Sequence, residues 1–309
     1  MSTLRYKNPI LDVGELTEWM QEGSVILFDC RFYLEEPERG KNEFGDNHIP
    51  GARYLHLKTD LSRPIGDGSE GRHPLPEMET LWKKLTAFGV SETSKIVCYD
   101  SAGGPFAARL WWLLRWSGFT NVWVLNGGWA AWETYNSTPE HRFEPSTRNP
   151  RPSNAGTKVD DISQNSTRSS EAIVLTTSIE DVPIRTIAQS FESNSARSNL
   201  VDSRTHDRFL GQNETIDPIA GHIPGAINLP WTDNLDEFGH FLEPDRLHSR
   251  FKTLFGEQSN PVFYCGSGVT ACHNILATQI AGLPLPELYA ESWSGWISKP
   301  DRPVALGEP

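Results

Sequence analysis

His48-Ile49-Pro50-Gly51-Ala52 and His222-Ile223-Pro224-Gly225-Ala226 are one pentapeptide written twice in a chain of 309 residues. Upstream of each copy an apolar run ends in Asp-x-Arg: Val25-Ile26-Leu27-Phe28-Asp29-Cys30-Arg31 and Leu200-Val201-Asp202-Ser203-Arg204. The offset is 173 between the two aspartates (202 − 29) and 174 between the two histidines (222 − 48), so order and spacing repeat together. Repetition at this period means two copies of one domain.

The duplication continues downstream. Lys95-Ile96-Val97-Cys98-Tyr99-Asp100 reads as a buried strand running into a glycine-rich turn, and so does Pro261-Val262-Phe263-Tyr264-Cys265. Helical segments follow, Pro105 to Ser117 and Val269 to Gly282. Next come a short apolar run, Val122 to Leu125 or Leu288-Tyr289, and then a tryptophan pair, Trp129 and Trp132 or Trp293 and Trp296. Alternating buried strands and helices predict an α/β fold in each half, a mostly parallel sheet flanked by helices. Functional loops in such sheets gather at the carboxyl ends of strands, where Asp100 and Cys265 stand. Residues 1–144 are expected to form an N-terminal domain and 172–309 a C-terminal one. Between them, 145–171 is a polar linker rich in Ser, Asn, Thr, Pro and Arg, without apolar periodicity.

Composition narrows the function. The chain carries 37% hydrophobic and 22% charged residues, which suits a folded protein. Its net charge of −12 argues against a nucleic-acid footprint and against anionic membrane surfaces. Most of the 11 tryptophans fall near apolar runs and are expected to pack cores. The four cysteines, Cys30, Cys98, Cys265 and Cys272, form neither a CxxC pair nor a metal-like cluster. Neither a signal peptide nor a spanning segment is expected, and a reducing, cytoplasmic location fits. His48 and His222, one per repeat before Ile-Pro-Gly, suit turn closure rather than metal binding. Asp29 and Asp202 suit loop ties at strand ends.

The strongest local signal is Tyr264-Cys265-Gly266-Ser267-Gly268-Val269-Thr270-Ala271. A strand delivers a cysteine into a loop with glycines at the first and third following positions, and a helix starts near Val269. Glycines let successive N–H groups turn inward, and the helix terminus adds positive dipole on the same side. A thiolate at the centre of such a cradle is stabilised and nucleophilic at neutral pH.

This loop and the repeat order resemble the rhodanese superfamily, above all its tandem-domain 3-mercaptopyruvate and thiosulfate sulfurtransferases. The resemblance implies two tandem rhodanese-like domains, the N-terminal one inactive and Cys265 carrying transferred sulfur as a persulfide. Thiosulfate-preferring members usually carry basic residues directly after the cysteine. Gly266 and Ser267 are neutral, so the loop looks like the mercaptopyruvate branch, with thiosulfate as the alternative donor. Loop residues Gly266, Gly268, Val269 and Thr270 would then line the donor site. Arginines of the segment after the first strand, Arg204 and Arg208 here, would hold the donor carboxylate, as a planar guanidinium can in bidentate fashion. In that branch the loop serine, Ser267 here, works through a histidine of the N-terminal domain. Arg72-His73-Pro74-Leu75-Pro76 resembles the segment supplying it, with Asp60 as the candidate carboxylate behind His73. The resemblance further implies a small-molecule sulfur donor, a thiol, thioredoxin-like or cyanide acceptor, and no metal or organic cofactor.

Two other classes compete. A cysteine phosphatase needs an arginine near the end of its loop to clamp phosphoryl oxygens. Ala271 stands six after Cys265, and no arginine lies between Cys265 and Leu283. A non-catalytic binding module would not need both the cysteine and the glycine-rich loop.

Overall fold

The computed structural model describes residues 8–141, 143, 200–255 and 260–309. The linker 145–171, and residues 172–199 of the expected C-terminal domain, lie outside the described residues.

The N-terminal half runs β1 (Ile10–Leu11), α1 (Val13–Glu22), β2 (Val25–Asp29), α2 (Arg39–Asp46), β3 (Arg53–Tyr54), α3 (Met78–Ala87), β4 (Lys95–Tyr99), α4 (Pro105–Trp116), β5 (Val122–Leu125) and α5 (Gly128–Ser137). The C-terminal half runs β6 (Leu200–Asp202), α6 (His206–Phe209), β7 (Ile227–Asn228), α7 (Pro244–Phe251), β8 (Val262–Tyr264), α8 (Thr270–Ile280), β9 (Glu287–Leu288) and α9 (Ser292–Trp296). The sheets are ordered β1-β5-β4-β2-β3 and β7-β6-β8-β9. The pairings are parallel, with Asp29 beside Tyr99 and Asp202 beside Tyr264. Parallel strands covered on both faces need apolar side chains on both, which the runs 96–99 and 262–264 supply. Both expected helices form one to three residues shorter than the sequence suggests, as helix ends commonly do.

The repeated pentapeptide has one job in both halves. Nδ1 of His48 bonds the Phe44 carbonyl at 2.7 Å, and Nδ1 of His222 bonds that of Phe209 at 2.8 Å. The N–H of the following isoleucine donates to the Tyr99 hydroxyl in one half and the Tyr264 hydroxyl in the other, both at 3.2 Å. These contacts close a turn against the sheet.

Helices α4 and α8 pack against each other, and one apolar cluster runs through both halves, from Phe106 and Trp111 to Ile275 and Leu276. Burial of each such side chain contributes on the order of 1.5–3 kcal/mol, so the halves are held as one body. Among the described residues no helix is long and apolar enough to cross a membrane.

Candidate active site at the interdomain cleft

The N-terminal half shows what its strand–loop–helix turn is built to hold. Asp100 lies five residues before the start of α4, fully buried. Its Oδ1 accepts the N–H groups of Ala102 and Gly104, both at 2.9 Å. Its Oδ2 accepts those of Phe106 at 2.8 Å and Ala107 at 2.9 Å. Burial pushes the carboxyl up, and the four N–H groups pull it back. A proton on either oxygen would face a donor, so the turn suits an anion.

Cys265 lies five residues before the start of α8, at the matching place. Its carbonyl accepts the Trp293 N–H at 2.9 Å, as that of Asp100 accepts the Trp129 N–H at 2.9 Å. Among the described residues, none accepts a hydrogen bond from the N–H groups of Ser267, Gly268, Val269 or Thr270. Gly268 has φ +75°, and a Cβ there would sit 2.5 Å from the Ala290 carbonyl oxygen, so only glycine fits. The Cys265 N–H donates to Ser292 Oγ at 3.1 Å, and that hydroxyl donates to the Tyr289 carbonyl at 2.9 Å. Ser292 adopts φ +54°, the value Gly128 has at the matching place in the other half.

The N-terminal half closes the site from outside. His73 Nδ1 lies 2.7 Å from Ser267 Oγ. Burial pushes the imidazole down to about 3, helped by Arg72, Arg109 and Lys58, so it is neutral at pH 7. The expected contact between His73 and Asp60 is not made. The Asp60 carboxylate accepts the His56 N–H at 2.8 Å and bonds Lys84 Nζ, and His73 Nε2 is buried without a partner. Asp60 lies at the end of a turn beginning at His56, and that turn engages Oδ2 while Lys84 of α3 engages Oδ1.

Arg204 is placed differently from expectation. It is buried, with Nε 3.1 Å and Nη2 2.7 Å from Asp202 oxygens, Nη2 2.6 Å from the Gly221 carbonyl, and its guanidinium over Trp293. Arg31 repeats this with Asp29, the Asn47 carbonyl and Trp129. An arrangement present in both halves holds the strand-end loop and occupies Nε and Nη2, while Nη1 of Arg204 lies 3.4 Å from Glu214. Arg208 does approach the site. It pairs with Glu214 at 2.8 Å and Asp217 at 3.0 Å. A Cβ on Gly266 would lie 3.6 Å from its Nη2 and 3.1 Å from Nη2 of Arg72, which also pairs with Asp217.

Sequence reasoning missed two arginines of the N-terminal half. Arg72 had one signal, its place beside His73. Arg109 had none. Its Nη1 donates to the Gly268 carbonyl at 3.0 Å and its Nη2 to that of His73 at 3.2 Å.

Fold and site together define a duplicated α/β protein in which one half presents a cysteine at the head of a glycine-containing loop, where the other half has an aspartate, and the other half packs against that loop. The rhodanese-like domain model matches residues 12–135 and 187–299, and the chain belongs to the rhodanese-like family, in its two-domain sulfurtransferase form. It is similar to a probable 3-mercaptopyruvate sulfurtransferase of Pseudomonas aeruginosa, 40% identical over 97% of this chain and 98% of that one. A thiosulfate sulfurtransferase of Rattus norvegicus is 29% identical over 94% of this chain and 95% of its own. Among solved structures, the 3-mercaptopyruvate sulfurtransferase from Leishmania major has a TM-score of 0.69 at 27% identity, covering 92% of this chain and 73% of that one.

Proposed function

We propose that the protein takes sulfur from 3-mercaptopyruvate onto Cys265 as a persulfide and hands it to a thiol, thioredoxin-like or cyanide acceptor. The observation that carries this reading is the Asp100 carboxylate on four N–H groups. Cys265 stands at the matching place, where a thiolate or a terminal persulfide sulfur would be the anion the loop accommodates. Free thiols at all four cysteines suit a reducing cytoplasm.

The step balances with this chain's own groups. The Cys265 thiolate attacks the donor sulfur, an S–S bond forms, and the C–S bond breaks with its electron pair moving into the enolate of pyruvate. The proton of the donor thiol ends on the enolate carbon. What remains is pyruvate and the Cys265 persulfide anion. With the hydrogen on Nδ1, neutral His73 donates to Ser267 Oγ and frees the serine proton for the developing enolate oxygen. Of the two arginines expected to hold the donor carboxylate, Arg208 takes that role in this reading, through its Nη1, which among the described residues has no carboxylate partner, with Arg72 beside it at Gly266.

Thiosulfate is the second donor to weigh, because several relatives bear that name. Its sulfite leaving group keeps its charge and calls for uncompensated cations next to the sulfur. Arg72 and Arg208 are already neutralised by Asp217 and Glu214, which favours the singly charged donor. Steady-state kinetics with both donors, beside Cys265→Ser, tests the reading. Higher kcat/KM for 3-mercaptopyruvate, no turnover in the variant, and one added sulfur on the Cys265 peptide are expected. A clear preference for thiosulfate, or a stoichiometric persulfide on Cys30 or Cys98, would overturn it.

A further inference from the structure

Arg109 is completely buried, in the middle of α4, a helix otherwise made of apolar side chains in that stretch. Buried cations are expensive and almost always meet a carboxylate. The other fully buried arginines obey this, Arg31 with Asp29 and Arg204 with Asp202. Among the described residues no carboxylate pairs with Arg109. Its Nη1 and Nη2 donate to the carbonyls of Gly268 and His73, the guanidinium also bonds the Cys272 thiol, and Nε is buried without an acceptor. Burial pulls its guanidinium down, yet arginine stays protonated at neutral pH. The ionisable groups facing it are the thiols of Cys272 and Cys265 and the imidazole of His73, which is neutral. Cys272 is fully buried, bonds the same Gly268 carbonyl at 3.3 Å, and is pushed up by burial to about 12, so it stays neutral. The remaining anion is the one formed at Cys265.

We propose that Arg109, supplied by the N-terminal domain, is the counter-charge of the Cys265 thiolate and persulfide, and holds the catalytic loop by its Gly268 carbonyl. It is a positioning residue and touches no donor. A carbonyl pair fixes the guanidinium while leaving its charge uncancelled. A carboxylate in the same place would cancel it. The silent domain therefore contributes electrostatics as well as the His73 wall. This inference rests on Cys265 being the nucleophile, and reaches beyond it to the residue that tunes that group.

The test compares Arg109→Met and Arg109→Lys with wild type by the pH dependence of iodoacetamide alkylation at Cys265, read by peptide mass spectrometry, with Cys265→Ser as blank. Arg109→Met removes a buried uncompensated charge, so it should fold with a thermal midpoint at or above wild type. Its alkylation midpoint should rise by more than one pH unit, and kcat should fall at least tenfold with little change in donor KM. Arg109→Lys keeps the charge and should stay within half a unit of wild type. A folded Arg109→Met protein with an unmoved midpoint overturns the proposal, as does an Arg109→Met chain that fails to fold, which would mean the arginine is needed structurally. Alkylation needs no donor, so absence of persulfide formation would remove the functional reading while leaving this result intact.

Discussion

His73 Nδ1 and Ser267 Oγ meet at 2.7 Å across the boundary between the two halves, and both side chains are buried. One comes from a loop before α3, the other from the turn that carries Cys265. The pair exists only while α4 and α8 hold the halves together.

Ser267→Ala and His73→Asn are expected to lower kcat for 3-mercaptopyruvate by on the order of 100-fold, the usual scale for losing positioned proton transfer. KM should change little, and alkylation of Cys265 should proceed. Losses no greater than twofold in both variants would remove this pair from the chemistry.

The two arginines after β6 are expected to separate by assay. Arg208→Gln should raise KM for 3-mercaptopyruvate about 10- to 100-fold, matching the roughly 1.5–3 kcal/mol of a charged hydrogen bond. Arg204→Gln leaves the buried Asp202 unpaired and should cost about 3–5 kcal/mol of stability, with near-normal KM in whatever folds. Urea denaturation beside kinetics distinguishes them, and the reverse pattern would restore Arg204 to the donor site.

Ser292 occupies a left-handed backbone position that costs a non-glycine residue about 1–2 kcal/mol, and its hydroxyl holds the Cys265 N–H. Ser292→Gly should therefore be more stable than Ser292→Ala by about 1 kcal/mol. Both should lose activity, because the Cys265 N–H loses its acceptor in each. Equal thermal midpoints for the two variants would show that the position is not strained.

Acid should loosen the interface. His73 is pushed down to about 3 and so is His273, in both cases chiefly by burial. His273 stacks on Phe241 and bonds the Gly103 carbonyl of the other half at 2.9 Å through Nε2. In the unfolded chain both titrate near 6.5, so below that pH the unfolded state binds more protons. Stability is then full above about 6.5 and falls as pH drops toward 3, by about 1.4 kcal/mol per pH unit per histidine. His273→Gln should flatten the slope between pH 4.5 and 6 by about one proton, measured by urea denaturation. An unchanged slope would assign the acid lability elsewhere.

The duplication and the Cys265 loop were legible because each is a run of consecutive residues whose spacing carries the geometry. Strand, turn glycines and helix start in Tyr264–Ala271 need no distant partner to be read. The scaffold contacts of Arg204 were also legible in the sequence. Asp-x-Arg occurs in both halves, and a feature shared with the silent half is scaffold, whereas Asp100 against Cys265, where the halves differ, marks chemistry. Arg72 and Arg109 were hidden for a different reason. They act on a loop about 160 to 200 positions away in the chain, and the contact arises from helix packing that no local pattern encodes.

The packing of α4 on α8 makes the chain its own partner subunit. In an assembly of separate protomers, a wall contributed by a neighbour is lost on dilution, because association pays a translational cost set by concentration. Here that wall is tethered covalently and buried against the catalytic loop, so specific activity should hold constant as the enzyme is diluted to nanomolar levels.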